Sequence, residues 1–367
     1  MLNLVTFVVT QFAMDITVLI ARYLGEKRPQ YIGQVIGGSI VVFALISAVL
    51  FVVLVGFARP ISVLMQAPEE ALGLTSGYVR ICGAGIFFIV AYNLLAAIFR
   101  GLGDSQSPLL FVLVACIVNV FGDLFLVAGL HLDAASAAIA TLAAQAASVV
   151  CAVIMLLKKH LPFKLCKADF RLNPQCRKFL SIGLPLALQE FLTQLSFLAL
   201  CAFVNRLGLE ASSGYGVACK IVNFAMLIPS ALMQSMAAFV SQNIGAGSKK
   251  RARQSMFTGI GIGLAFGCAV FANAFAYLKG FAPETIATAV LFSMVGYFNG
   301  NNKTVWVMVQ GLVQTLLVRL PMAYFMSIQP NASLTMIGLA APTSTAVGIV
   351  LNICFYFYFE RTSRSDS

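Results

Sequence analysis

The chain reads Gln34-Val-Ile-Gly-Gly-Ser-Ile-Val-Val-Phe-Ala-Leu-Ile-Ser-Ala-Val-Leu-Phe-Val-Val-Leu-Val-Gly-Phe57 without one charged side chain. At about 1.5 Å of rise per residue, a helix needs about 20 apolar residues to cross about 30 Å of hydrocarbon, so this stretch is long enough to span a bilayer. A barrel strand would be about 10 residues long and would alternate apolar with polar side chains, which this stretch does not. A helix also satisfies its own backbone hydrogen bonds in lipid.

Working outward, similar apolar runs occupy 1–20, 71–99, 109–130 and 134–157 on the same side of a polar linker at 158–178, and 179–204, 211–242, 255–272, 275–298, 305–328 and 334–359 beyond it. Eleven spans are therefore expected, five before the linker and six after. The composition agrees: 60% of the 367 residues are hydrophobic and 10% charged, against about 25% charged in soluble domains, so no soluble domain of any size fits. The fold class expected is an all-α polytopic membrane protein.

The net charge of +11 could suit nucleic acid, but the placement of the charge excludes it. With the loops alternating between two sides, 18 of the 24 basic residues fall on one side. They include Arg22, Lys27, Arg28, Lys158, Lys159, Lys249, Lys250 and Arg251. Arg59, Arg206 and Lys279 fall on the other, and Arg80, Lys220 and Arg319 lie in or beside apolar runs. That asymmetry is the positive-inside pattern and puts the basic loops in the cytoplasm of a multi-pass protein of the cell membrane. The nine cysteines form no Cys-x-x-Cys pair, and His131 and His160 stand alone, so neither a disulfide framework nor a resident metal centre is expected. No compact nucleophile-base cluster suggests an enzyme. Gly245-Ala-Gly-Ser-Lys-Lys fails the phosphate-loop spacing.

The two sides of the linker repeat one another. Ala21-Arg-Tyr-Leu-Gly-Glu-Lys-Arg matches Ser241-Gln-Asn-Ile-Gly-Ala-Gly-Ser at an offset of 220, and Ala97-Ile-Phe-Arg-Gly-Leu-Gly matches Gly296-Tyr-Phe-Asn-Gly-Asn-Asn at an offset of 199. The second half thus lacks about 21 residues of the first, and the counterpart of its opening helix would lie before Met1. The expectation is that the first half lacks its first helix.

These signatures, with Phe99-Arg-Gly-Leu-Gly-Asp-Ser-Gln-Ser-Pro and Gly296-Tyr-Phe-Asn-Gly-Asn-Asn-Lys-Thr, resemble the multidrug and toxic compound extrusion (MATE) family along essentially the whole chain. The resemblance implies two six-helix lobes around a cavity, here an N-lobe at 1–157, a cytoplasmic linker at 158–178, a C-lobe at 179–361 and a short tail at 362–367. It implies a monomeric antiporter that exports small organic, often cationic, compounds in exchange for protons or sodium and uses no other cofactor. A non-transporting remnant and a flippase for lipid-linked oligosaccharides are the alternatives. The flippase would want more intramembrane Arg and Lys than Arg80, Lys220 and Arg319.

Ionisable groups inside spans are costly and usually face a cavity or a partner. The acids are Asp15, Asp123, Glu190 and Glu284, of which Asp123 is favoured because Asn119, one turn earlier, shares its face. Carboxylate and amide oxygens suit sodium, and a desolvated carboxyl suits a proton. The resemblance adds Asn93 and Thr141 to Asn119 and Asp123 as an N-lobe cation site, lacking an acid that relatives carry on the first helix. It also makes Glu190 and Glu284 C-lobe candidates, although Gly280 stands where sodium-binding relatives have a tyrosine. Asp15 falls where relatives have a small residue and is expected to find a local partner or an exposed end. Arg319 is expected either to reach an interface or to line a cavity.

Overall fold

The computed structural model describes residues 2–64, 69–129, 134–159, 166–205, 219, 222–274, 282–329 and 334–365. His131, His160, Lys164, Arg206, Lys220, Lys279 and Gly280 lie outside the described residues. Among those described there is no strand. The helices are α1 (Leu2–Gly25), α2 (Pro29–Gly56), α3 (Ala58–Leu64), α4 (Glu69–Ala84), α5 (Ile86–Gly101), α6 (Gln106–Asp123) and α7 (Ala134–Lys158), then α8 (Pro174–Asn205), α9 (Leu227–Gly245), α10 (Lys249–Ala274), α11 (Ala282–Gly300), α12 (Thr304–Leu312), α13 (Leu320–Ser327), α14 (Leu334–Gly338) and α15 (Ala340–Ser365). Wider π turns follow α6 at Leu124–Gly129 and join α12 to α13 at Val313–Arg319.

Eight described helical stretches are long and apolar enough to cross a membrane, and nine if the α4–α5 pair, bent by 47°, counts as one span. The eleven expected include two more, α10 and α11, each of which is described over only part of its length. The first turns of α10 carry Lys249, Lys250, Arg251 and Arg253. The helix α11 carries Glu284 and is buried along most of its described length against its neighbours α9, α10 and α15.

The chain forms two compact units, Met1–Ser181 and Ile182–Ser367. In the first, α1 packs on α2 and α5, and α7 packs on α4, α5 and α6. Its core includes Ile16, Ile20, Phe43, Ile86, Ile98, Phe99 and Phe111. The α4–α5 bend falls at Gly85, where an added Cβ would collide with Leu142 of α7. In the second unit, α9, α10 and α15 surround α11.

Each unit closes its inner helix pair in the same way. At the first signature, Lys27 (φ 57°) and Gly247 (φ 75°) both adopt the left-handed conformation, 220 residues apart. At the second, Gly103 (φ 81°) and Asn302 (φ 59°) do so, 199 apart. The hydrogen bonds match as well. The Arg28 N–H reaches the Tyr23 carbonyl (3.0 Å) as Ser248 reaches Asn243 (2.8 Å), and Asp104 reaches Phe99 (3.0 Å) as Lys303 reaches Phe298 (2.9 Å). A left-handed residue after the helix with such a bond from the next satisfies the last free carbonyls. The helix contacts repeat too. A Cβ on Gly101 would meet Ile20 Cβ at 2.8 Å and the Thr17 carbonyl at 3.0 Å, and one on Gly300 would meet Val240 Cβ at 2.7 Å and the Ala237 carbonyl at 2.9 Å.

The polar linker is more ordered than a tether. The helix α8 begins at Pro174, five residues before the apolar run, because Asn173 Oδ1 accepts the N–H groups of Gln175 (3.0 Å) and Cys176 (3.3 Å) and proline suits the first helical turn. Asn173 also donates to the Gln34 carbonyl (2.8 Å), and Asp169 and Cys176 fill the space left by Gly37 and Gly38 of α2. The Tyr23 hydroxyl donates to Gln175 Oε1 (2.7 Å) and accepts from Lys178 Nζ (3.1 Å). Residues 166–181 therefore pack as part of the first unit.

Overpacking a helix crossing costs about 1–3 kcal/mol, so Gly101→Val and Gly300→Val should each lower the thermal unfolding midpoint in detergent. Gly261→Ala, where an added Cβ meets nothing within 4 Å, should not.

A second expectation concerns Asp104, which starts α6. Its Oδ1 accepts the N–H groups of Gln106 (3.1 Å) and Ser107 (3.0 Å), and its Oδ2 accepts from the Ser107 hydroxyl (2.6 Å) and Lys159. Desolvation pushes the carboxyl up, but the bonds from Lys159 and Ser107 outweigh it and hold it at about 2. A lowered folded value means that the stabilisation is present above the ordinary carboxylate value near 4 and is lost as the pH falls towards about 2. Thermal midpoints measured over that window should fall more steeply for the native chain than for Asp104→Asn.

Candidate functional site

In the first unit, α6 and α7 pack along each other and place a polar seam between them. The Asn119 amide donates to Thr141 Oγ1 (3.4 Å), and Thr141 donates to the Ala137 carbonyl of its own helix (2.9 Å). One turn beyond Asn119, Asp123 ends α6 and has a buried Oδ1 without a hydrogen-bond partner. One turn beyond Thr141, Gln145 has a buried Oε1 in the same condition. Tyr78 of α4 lies within the field of Asp123. The π turn at Leu124–Gly129 follows Asp123 directly. Such turns widen the helix and leave carbonyls less regularly paired, and they occur often at functional sites.

Asn93 of α5 has other hydrogen-bond partners. Its amide donates to the Ile89 carbonyl (2.8 Å), its Oδ1 accepts from Thr10 of α1 (2.8 Å), and no hydrogen bond links it to Asn119, Asp123 or Thr141 among the described residues. The four residues grouped by resemblance thus divide into Asn119, Asp123 and Thr141 on one hand and Asn93 with Thr10 on the other. Asp15 departs from expectation: it is 0% exposed, and neither carboxyl oxygen has a hydrogen-bond partner.

The acids of the second unit have partners. Glu284, at the start of α11, is 3% exposed, and its Oε1 accepts from Thr345 (2.8 Å) and Thr288 (3.3 Å). Its Oε2 is buried without a hydrogen bond, but the Arg319 charge lies within reach of the carboxyl. From Thr345 the network runs to Gln314 Nε2 (3.4 Å) and on to Gln310, whose amide donates to Gln314 Oε1 (2.6 Å). Both glutamines lie against Gly348, where an added Cβ would meet Gln314 Oε1 at 2.6 Å and Gln310 Nε2 at 2.8 Å. Arg319 donates to Ser344 Oγ (3.2 Å) and stands 5.1 Å from the Phe197 ring centroid, so it is buried rather than extended to an interface. Glu190, half-buried on α8, accepts from Gln194 of its own helix (2.7 Å), and no hydrogen bond joins it to Glu284 among the described residues.

Charged side chains led to Asp123, Glu190 and Glu284. They did not lead to Gln310, Gln314, Ser344 and Thr345, which are neutral. A usable signal was present, since Gln310 and Gln314 stand one turn apart on an otherwise apolar helix. Among the described residues no group of three or more His, Cys, Asp or Glu lies together as a metal ion would need.

A family model described as MatE matches residues 1–125 and 185–279, more than half of the chain. The chain belongs to the MatE family. A probable multidrug resistance protein, YoeA of Bacillus subtilis, is 26% identical over 66% of this chain and 54% of its own length. An FAD transporter of Shewanella oneidensis is 26% identical over 57% and 48% respectively. The chain spans about half the length of these relatives. An outward-facing multidrug resistance MATE family transporter of the MOP superfamily superimposes with a TM-score of 0.87, covering 96% of this chain and 84% of that one at 18% identity. At that identity the likeness speaks for the fold, and it makes this MatE chain an all-α polytopic membrane protein.

Because Thr345 supplies the shorter of the two bonds to Glu284 Oε1 and accepts from the Gln314 amide, Thr345→Val should cost about 1–3 kcal/mol of stability by removing both. Thr343→Val, at an exposed position two residues earlier, should leave the unfolding midpoint unchanged.

Proposed function

We propose that this MatE chain exports small organic, often cationic, compounds across the cell membrane in exchange for protons or sodium, with Asp123, Asn119 and Thr141 receiving the coupling cation. The observation that carries this reading is the unpartnered, buried Oδ1 of Asp123 beside the Asn119–Thr141 pair. An unsatisfied carboxyl oxygen next to an amide and a hydroxyl is a ready acceptor for a proton or a hard cation. The relatives named for multidrug resistance support the substrate class. Family membership supports a transporter rather than an enzyme.

The test is accumulation of ethidium in cells that lack their own efflux pumps. Expression should lower accumulation, and collapsing the proton and sodium gradients together should restore it. Asp123→Asn should reduce export by about tenfold, equivalent to about 1.4 kcal/mol at the coupling step. Export that persists with both gradients collapsed would contradict the proposal.

A further inference from the structure

Four acids lie within the apolar runs, and three of them have polar neighbours. Glu190 accepts from Gln194, Glu284 from Thr288 and Thr345, and Asp123 stands beside the α6–α7 seam. Asp15 differs, being completely buried in the middle of α1 with both oxygens unpartnered.

Its place on the helix accounts for this isolation. Thr10, Thr17 and Ile20 form the face of α1 that meets α5, through Asn93, the Ala97 carbonyl and Gly101. Phe12 and Tyr23 meet Phe43 and Tyr31 of α2. Asp15 is two residues from Thr17, so it leaves the helix away from the α5 contact and misses the polar groups gathered there. The elements packed on α1 carry few titratable groups. Tyr31 of α2 lies against the Tyr23 ring at a tilt, and α5 offers Tyr92 and Arg100, neither of which is hydrogen-bonded to Asp15. On α1 itself Arg22 pairs with Glu26 (3.3 Å), and Tyr23 is taken up by Gln175 and Lys178.

An ionised carboxylate in such a place would be an uncompensated charge, which a low-dielectric interior strongly disfavours. A hard cation would need about six oxygens. The residues one turn away on α1 are Gln11, Phe12, Val18 and Leu19, which add a single side-chain oxygen. A proton needs only the carboxyl.

We infer that Asp15 is a proton-binding site of the first unit, separate from the Asp123 seam, loaded as the neutral acid in the buried arrangement seen here. Unloading requires a second arrangement of α1 in which the carboxyl reaches water. There the O–H bond breaks, the proton passes to water and the carboxylate remains. A proton taken up on one side of the membrane and released on the other would then travel with the movement of α1. This last step rests on the proposed export function, whereas proton binding does not.

The test uses the full chain in lipid nanodiscs. Infrared difference spectra between the native protein and Asp15→Asn at neutral pH should show the carbonyl stretch of a neutral carboxylic acid that the variant lacks. Both proteins should unfold at the same temperature at that pH, because the variant replaces one neutral group with another of similar size. If Asp15→Asn fails to fold, Asp15→Ala takes its place in the subtraction. If that fails too, the native protein alone must show a neutral-acid band that persists into alkaline solution.

In vesicles, Asp15→Asn should lower proton-driven ethidium export by about tenfold. Absence of the band from the native protein, or an unchanged band in the variant, would overturn the inference even if export is normal. A band that depends on Asp15 in a protein that exports nothing would uphold the proton site and count against the proposed function instead.

Discussion

The close crossing of α1 over α5, at Gly101 against Ile20 and the Thr17 carbonyl, is the contact on which the first unit is built. Lipid offers no hydrophobic gain for bringing helices together, so association depends on close packing and on hydrogen bonds between helices. Here both act at one crossing, because Thr17 donates to the Ala97 carbonyl (2.9 Å) one turn from Gly101. The left-handed residues Lys27 and Gly103 end the two helices just beyond it and close their carbonyls. The second unit repeats the arrangement at Gly300 against Val240 and the Ala237 carbonyl, with Gly247 and Asn302 in the closing turns.

Duplicated packing does not bring duplicated chemistry. Asp15 has neither oxygen hydrogen-bonded, whereas Asp123 and Glu284 each leave one buried oxygen without a hydrogen bond. In the second unit Glu284 is held by two threonines within the field of Arg319, and an amide ladder of Gln310 and Gln314 extends from Thr345. In a low-dielectric interior a compensated acid stabilises packing and resists changes of protonation, whereas an uncompensated one has reason to bind a cation.

The sequence revealed much of this through its charge pattern and its punctuation. Uncharged runs such as 34–57 identified the membrane helices, and the offsets of 220 and 199 anticipated the matched turns at Lys27 and Gly247 and at Gly103 and Asn302. Asn119 and Asp123 were legible as neighbours on one helical face because spacing fixes side-chain direction, and the family resemblance added Thr141, which the fold brings to Asn119. Asn93 was not separable from them, since its choice of Thr10 as a partner depends on how α1 lies on α5. The isolation of Asp15 and the sheltering of Glu284 were equally hidden, because each is set by residues distant in sequence.

The duplicated crossing is tested most directly by cross-linking. In a chain whose nine native cysteines are replaced, Ile20→Cys with Gly101→Cys and Val240→Cys with Gly300→Cys place thiols at equivalent positions of the two units. Mild oxidation in native membranes should join both pairs to a similar extent, since in each the helices need part by only about 1 Å to bring the two Cβ positions to disulfide spacing. Cross-linking of one pair without the other would contradict a fold built from two copies of a single helix crossing.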